Sequence, residues 1–432
     1  MASTKPTELR SPSDPLPPGE TPVSPKRGFW AWLNKRMPVD EFVADQLTGY
    51  YAPKNFNFWY FFGSLAGLVL VIQIVTGVFL AMFYHPSSAG AFGSVQFIMR
   101  EISWGWLIRY IHSTGASFFF IVVYLHMFRG ILYGSYRQPR ELLWLVGMVV
   151  YLALMAEAFM GYVLPWGNMS FWGAQVIINL FGTIPGVGPA LTQWIRGDYG
   201  ISGATLNRLF ALHVAAVPIV LLLLVVLHLV ALHQVGSNNP DGIEIRDRLG
   251  PNGKPLDGIP FHPYYTVKDI FGVGVFFILF ALVVFFIPTF HGLFLEKANF
   301  TPADPLSTPA EIHPVWYFTP FYAILRAVPS KGLGALLLVM ALVSLFLLPW
   351  LDRSPVKSMR YKGWICRLFF AFFVVGFLGL MYAGTHPAQP PYILLGRVFT
   401  VLYFSYFFLM PWYTRIDPAK PVPDRVRFHA HT

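Results

Sequence analysis

Four histidines in two apolar segments carry the chemistry legible in this chain: His112 and His126 lie in one segment, His213 and His228 in the other. Neutral imidazole is the usual axial ligand of haem iron. A 14-residue step along an α-helix advances about 21 Å and returns to within about 40° of the same face. Two facing helices built this way stack two metal sites, in a bundle core where side chains of neighbouring helices reach one cofactor. A single histidine in such a segment is as readily a hydrogen-bonded core residue. Four in a paired ladder point to ligation.

Glycines repeat the spacing. Gly63 and Gly77 lie 14 apart in a third apolar segment, and Gly147 and Gly161 lie 14 apart in a fourth. A missing side chain lets a flat macrocycle approach the backbone, so two glycine helices can sandwich what two histidine helices ligate. Small residues also serve plain helix packing in lipid, and the glycines alone do not decide between the two.

The elements that must position these residues are membrane helices. Hydrophobic residues make up 55% of the 432 and charged residues 12%, with long apolar runs from residue 57 almost to the end. Eight spans are expected, at 57–83, 106–133, 142–164, 205–233, 270–291, 333–350, 364–384 and 393–413. The fold class is therefore an all-α integral membrane protein of eight transmembrane helices, the first four forming a bundle (57–235) around the haems. Residues 1–28, rich in Pro and Ser, read as a disordered extension without a secretory signal. Trp30 and Trp32, beside Lys26, Arg27, Lys35 and Arg36, suggest an interfacial helix within an entry segment at 29–56. A cytoplasmic loop at 236–269, four C-terminal helices over 270–413 and a tail at 414–432 complete the division.

Lys and Arg crowd the N-terminus, the second–third loop (Arg137, Arg140), the fourth–fifth loop (Arg246, Arg248, Lys254, Lys268) and the sixth–seventh loop (Arg353, Lys357, Arg360, Lys362). An eight-helix count puts all of these on one side, which the positive-inside rule makes cytoplasmic, together with both termini. The net charge of +10 then reflects topology and attraction to anionic lipid rather than nucleic acid. With this orientation Gly77, Gly161, His112 and His213 share the outer half of the membrane, and Gly63, Gly147, His126 and His228 the inner half. The lone Cys366 has no partner for an intramolecular disulfide and reads as a small apolar residue.

Five stretches add a family resemblance: GYVLPWG at 161–167, GSNNP at 236–240, FHPYYT at 261–266, PVWY at 314–317 and YAILR at 322–326. From about residue 29 onward the chain resembles the cytochrome b family of membrane quinol:cytochrome c oxidoreductases, in the single-chain form of proteobacteria. Its photosynthetic relatives divide this length between two polypeptides, so the unbroken chain points to the respiratory type. The resemblance implies two b-type haems, the outer of low potential on His112 and His213 and the inner of high potential on His126 and His228. It implies oxidation of ubiquinol at the outer face and reduction of ubiquinone at the inner face. It further implies a Rieske iron–sulfur protein and a membrane-anchored c-type cytochrome as partners, in a homodimeric complex of the bacterial inner membrane.

Arg109 and Arg129, each three residues from a ligand, are placed to pair with haem propionates, although an interfacial arginine that snorkels has the same spacing. For quinol oxidation the resemblance points to Tyr162, Gly173, Pro314, Trp316 and Tyr317, a composition that an aromatic belt also produces. For quinone reduction it points to His233, Ser237, Lys268 and Asp269, groups able to exchange protons with water. Asp269 equally suits an N-cap of the fifth helix, and Lys268 a topology charge.

Three positions depart from the family pattern. His213 and His228 are 15 apart, where 14 is common; the extra residue turns an ideal helix by about 100°, and a kink at Pro218 or a one-residue helical bulge would absorb it. Val315 stands where many relatives carry a glutamate thought to accept a proton from quinol, and Asn168 where many carry glutamine. Glu157, buried in the third span, is the expected replacement acid, with Glu296 and Glu311 of the outer loop as rivals. A carboxylate held by a neighbouring helix without a catalytic part is the alternative. Two other functions fit parts of the pattern. A di-haem anchor linking a peripheral dehydrogenase to quinone needs only one quinone site, and a secondary transporter has no need of ligand spacing.

Overall fold

Apolar runs of this length become helices because lipid offers no partner for a backbone N–H or C=O, and a helix satisfies both within the segment. The computed structural model describes residues 28–40 and 49–427. Among the described residues, seven helices are long and apolar enough to cross a membrane: Phe58–Ala81, Gly105–Tyr133, Glu141–Val163, Gly203–Val235, Phe261–Phe286, Lys331–Leu351 and Trp364–Gly384. An eighth crossing is a pair, Tyr392–Phe408 and Met410–Ile416, bent by 61°. Pro411 stands in the first turn of the second piece, where a missing N–H is tolerated.

The fifth and eighth spans depart most from expectation. The fifth begins at Phe261, nine residues before the expected 270, because the FHPYYT stretch is itself helical after a non-helical His262, and it ends at Phe286, short of the expected 291. The eighth is broken where a continuous helix was expected. The fourth span resolves the 15-residue histidine step: Leu212–Ala216 form a π-helical turn, in which the Val217 N–H donates to the Leu212 carbonyl. A π turn stores one extra residue, so the regular helix from Val217, with Pro218 in its first turn, continues as though the step were 14.

The first span packs on the second and the third on the fourth, so each glycine helix lies against one histidine helix. Short helices at Ala91–Arg100, Asn168–Phe181 and Gly188–Arg196 fill the connections on the side of Gly77 and Gly161. On the opposite side two short strands, Tyr51–Pro53 and Gly258–Pro260, pair antiparallel and tie the entry of the first span to the fourth–fifth loop.

Several cations counted above as topology charges are internal ties. Arg140 donates to both Glu244 oxygens at 2.6 and 2.8 Å, and Lys357 reaches the same carboxylate at 2.6 Å. Lys362 pairs with buried Asp352 at 2.6 Å. Burial pushes the Glu244 carboxyl up, but Arg140 and Lys357 outweigh it and hold the group below the usual carboxylate range. Cys366 is buried. The entry segment contains a helix at Phe29–Arg36 with Phe29, Trp30 and Trp32 exposed. The expectation for residues 1–27 and the end of the expected tail, 428–432, fall outside the described residues.

Candidate functional site

The four histidines stand in two tiers. The rings of His112 and His213 have centres 6.2 Å apart, and those of His126 and His228 6.4 Å apart. Two imidazoles bonded to opposite sides of one metal at about 2.0 Å each put their ring centres roughly 6.3 Å apart, so both pairs have the span of a bis-histidine site. Among the described residues no group of three or more His, Cys, Asp or Glu is placed to hold a bare ion. A pair of axial ligands suits a prosthetic group that supplies its own equatorial donors, and the residues fit haem.

Each ladder glycine faces one ligand across a helix pair. A Cβ would stand 3.3 Å from His126 Cε1 at Gly63, 3.2 Å from His112 Cε1 at Gly77, 3.0 Å from His228 Cε1 at Gly147 and 2.5 Å from His213 Cε1 at Gly161. The contacts group Gly77 and Gly161 with His112 and His213, and Gly63 and Gly147 with His126 and His228. The space left by each absent side chain, however, is taken by an imidazole edge, where the spacing argument put a macrocycle.

Nδ1 contacts to acceptors orient two of the rings. His112 Nδ1 lies 2.9 Å from Thr76 Oγ1. His213 Nδ1 lies 3.0 Å from the Glu157 carbonyl and 2.9 Å from Glu157 Oε1. A ring that donates its Nδ1–H presents a bare Nε2 to a metal. Arg129, whose guanidinium only donates, stands 3.5 Å from His126 Nδ1 and over the Tyr60 ring at 4.8 Å, so it does not set that tautomer.

The His112–His213 pair opens onto a cavity of about 600 Å³, lined by Gly77, Arg109, His112, Glu157, Gly161, Tyr162, His213, Asn299, Val315 and Tyr317 among others. Arg109 is therefore at the same tier as its neighbouring ligand. The PVWY stretch divides: Val315 and Tyr317 line the cavity, whereas Trp316 turns its indole N–H to Ser117 Oγ at 3.1 Å and Pro314 gives its carbonyl to His313 Nδ1 at 3.2 Å. Tyr317 is stacked on Phe120, with ring centres 3.9 Å apart. At Gly173 a Cβ would stand 3.7 Å from Tyr162 Cε1, an ordinary contact, so the position adjoins the Tyr162 ring without requiring glycine. Glu157 borders the cavity, but its carboxylate belongs to His213.

At the His126–His228 tier Asp269 Oδ2 accepts from Ser64 Oγ at 2.8 Å. Ser64 follows Gly63, which faces His126, so Asp269 is tied to the first span at the level of that pair. The N-cap reading of Asp269 fails, since the helix begins eight residues earlier. Lys268 Nζ sits over the Tyr265 ring at 5.1 Å. His233 lies at the end of the fourth span, where Arg246 donates to its carbonyl at 2.9 Å, and Ser237 follows that helix end.

Thr76, Ser64 and Asn299 join the site without belonging to any motif of the sequence. Thr76 and Ser64 are each next to a ladder glycine, and that adjacency was the available signal. Asn299 donates to Tyr162 Oη and to Glu296 Oε2, both at 3.0 Å, while its Oδ1 accepts from the Ser170 N–H at 2.8 Å. Asn168 clamps the loop between the fifth and sixth spans: its Nδ2 donates to the Ser307 carbonyl and its Oδ1 accepts from the Asp304 N–H, both at 3.1 Å.

Comparison with known proteins bears on the same residues. Residues 47–236 match the family model described as Cytochrome b/b6/petB, and residues 302–404 the one described as Cytochrome b(C-terminal)/b6/petD. The cytochrome b of Allochromatium vinosum is 62% identical over 92% of this chain and 97% of its own length. That of Rickettsia bellii is 49% identical over 94% and 99%. A solved chain titled Hyperthermophilic respiratory Complex III superposes with a TM-score of 0.83 at 39% identity, covering 90% of this chain and 99% of that one.

Proposed function

The chain belongs to the cytochrome b/b6 family, and from that premise we propose how its residues divide the work of a quinol:cytochrome c oxidoreductase. It is the multi-pass cytochrome b subunit of such an enzyme, with two b-type haems and a quinone substrate. When bound, the haems carry single electrons between the two faces of the membrane.

His112 and His213 hold the outer, low-potential haem, and His126 and His228 the inner, high-potential one. Arg109 and Arg129 supply guanidinium groups for propionates. Thr76 and Glu157 fix the rings of His112 and His213, which keeps each Nε2 aimed inward. Ubiquinol is oxidised in the outer cavity, where Tyr162, Gly173, Val315 and Tyr317 shape the walls and Pro314 and Trp316 brace them from behind. Ubiquinone is reduced at the inner tier, where His233, Ser237, Lys268 and Asp269 donate hydrogen bonds or protons. The assembly this implies is a homodimer with a Rieske iron–sulfur protein and a membrane-anchored c-type cytochrome, in a bacterial inner membrane with both termini cytoplasmic.

The observation that carries the reading is the set of four glycine–histidine contacts in two tiers. A reduced-minus-oxidised optical spectrum of the purified complex is expected to show two haem b centres of different potential. Quinol-dependent reduction of cytochrome c is expected to be blocked by inhibitors specific for the outer site and, separately, by inhibitors specific for the inner one. Sensitivity to one class alone would favour the di-haem anchor.

A further inference from the structure

Oxidation of a quinol releases two protons with its two electrons, so the outer cavity needs a base beside the electron acceptors. Val315 lines the cavity and cannot take a proton. Glu157 is committed to His213 Nδ1 at 2.9 Å. Glu311, the other loop acid named above, is exposed.

Glu296 is different. It lies in the outer loop, 5% exposed, immediately behind the cavity wall formed by Leu295, Asn299 and Tyr162. Tyr162 donates its hydroxyl to Glu296 Oε2 at 3.1 Å, and Asn299 Nδ2 donates at 3.0 Å both to that oxygen and to Tyr162 Oη. The second carboxylate oxygen, Oε1, is buried with no hydrogen-bond partner among the described residues. A hydroxyl has one proton to give and two lone pairs to accept. Having given to Glu296 and accepted from Asn299, Tyr162 keeps one lone pair for a hydroxyl in the cavity.

We infer that Glu296 is the proton acceptor for quinol oxidation in this chain, reached through the Tyr162 hydroxyl. The inference rests on the outer cavity being the quinol-oxidation site. In the step, a quinol O–H bond breaks and its proton binds Tyr162 Oη, while the proton of Tyr162 moves to Glu296 Oε2. Tyr162 ends neutral as it began, Glu296 becomes a carboxylic acid, and the electron leaves to the acceptors that the enzyme's reaction already supplies. Lys297, next in the chain, is exposed, so the acid stands one residue from outer water for release.

The surroundings suit this exchange. The groups facing Glu296 are Tyr162 from the third span, Asn299 from its own turn and Tyr317 from the PVWY turn, none of them a cation. Burial therefore prevails over the hydrogen bonds and raises the carboxyl to about 7. Because the shift is upward, the accepting carboxylate is present above that value and is lost as the pH falls through it.

The test is the rate of quinol-dependent cytochrome c reduction against pH in the intact complex. Wild type is expected to rise through an inflection near pH 7, and Glu296→Gln to lose both the inflection and at least about 10-fold in rate. Glu296→Asp, which keeps an acid, is expected to recover part of the rate with a displaced inflection, and Glu311→Gln to retain the wild-type profile. Unchanged haem spectra in all variants show that they are folded. The inference is overturned if Glu296→Gln keeps the wild-type rate and profile, if Glu296→Gln and Glu296→Asp are equally slow with the profile unmoved, or if Glu311→Gln removes the inflection. Insensitivity of the wild type to outer-site inhibitors would instead overturn the reading of the cavity.

Discussion

Glu157 touches His213 twice: its side-chain Oε1 lies 2.9 Å and its backbone carbonyl 3.0 Å from Nδ1 of the imidazole. A carboxylate on the far nitrogen makes a ligating imidazole more basic and stabilises the oxidised metal. Glu157→Gln is therefore expected to keep both haems and raise the midpoint potential of the outer one, by an amount on the order of tens of millivolts. Redox titration of the variant complex checks this. An unmoved potential would leave the contact without electronic consequence.

The glycine contacts rank themselves. A methyl group at Gly161 would lie 2.5 Å from His213 Cε1, a separation the ring must move to avoid, whereas at Gly63 the distance to His126 Cε1 would be 3.3 Å. Gly161→Ala is expected to lose most of the outer haem, and Gly63→Ala to retain the inner haem with a modest spectral shift. Pyridine haemochrome content together with the resolved optical bands measures both. Equal tolerance at the two positions would contradict the geometry.

The π turn at Leu212–Ala216 gives the fourth span an asymmetric response to length. Deleting Ala216 lets the turn close to regular α-helix with a 14-residue step, so both haems are expected to remain. Inserting one alanine after Ala216 adds a residue with no second bulge to hold it, which turns one histidine by about 100° away from its partner. At least one haem is expected to be lost from the insertion variant. Loss from both variants would show that the bulge is not a slack residue.

Glu244 links the second–third loop to the sixth–seventh through Arg140 and Lys357. Its carboxyl is held below the ordinary range, so its stabilisation is complete above the unfolded value of about 4.3 and is lost as the pH falls through the lowered one. Glu244→Gln is expected to cost about 1–3 kcal/mol at neutral pH, since Arg140 is left buried without its carboxylate. Thermal unfolding of wild type and variant across pH is expected to converge only in acid. A constant gap would assign the effect to packing.

Repetition made the architecture readable from the sequence. Spans of apolar residues and the 14-residue spacings of Gly63, Gly77, Gly147, Gly161, His112 and His126 are local, periodic properties, and a helix converts them into faces by its own geometry. The two tiers were available on that basis, while the resemblance to cytochrome b rested on the five motif stretches instead. So was the anomaly at His213 and His228, though periodicity left open whether a kink or a bulge absorbs it.

Tertiary structure decided what lies across a gap between elements. That a π turn absorbs the extra residue depends on which backbone carbonyl Val217 reaches. That Thr76 and Glu157 hold ligands, and that Trp316 gives its indole N–H to Ser117, depends on neighbours far apart in the chain. Glu157 and Glu296 look alike as acids near the outer face of a sequence. They separate in role because the third span carries one carboxylate to an imidazole, while the folded outer loop buries the other against Tyr162 and Asn299. Such partners are set by packing between elements, and no period along the chain records them.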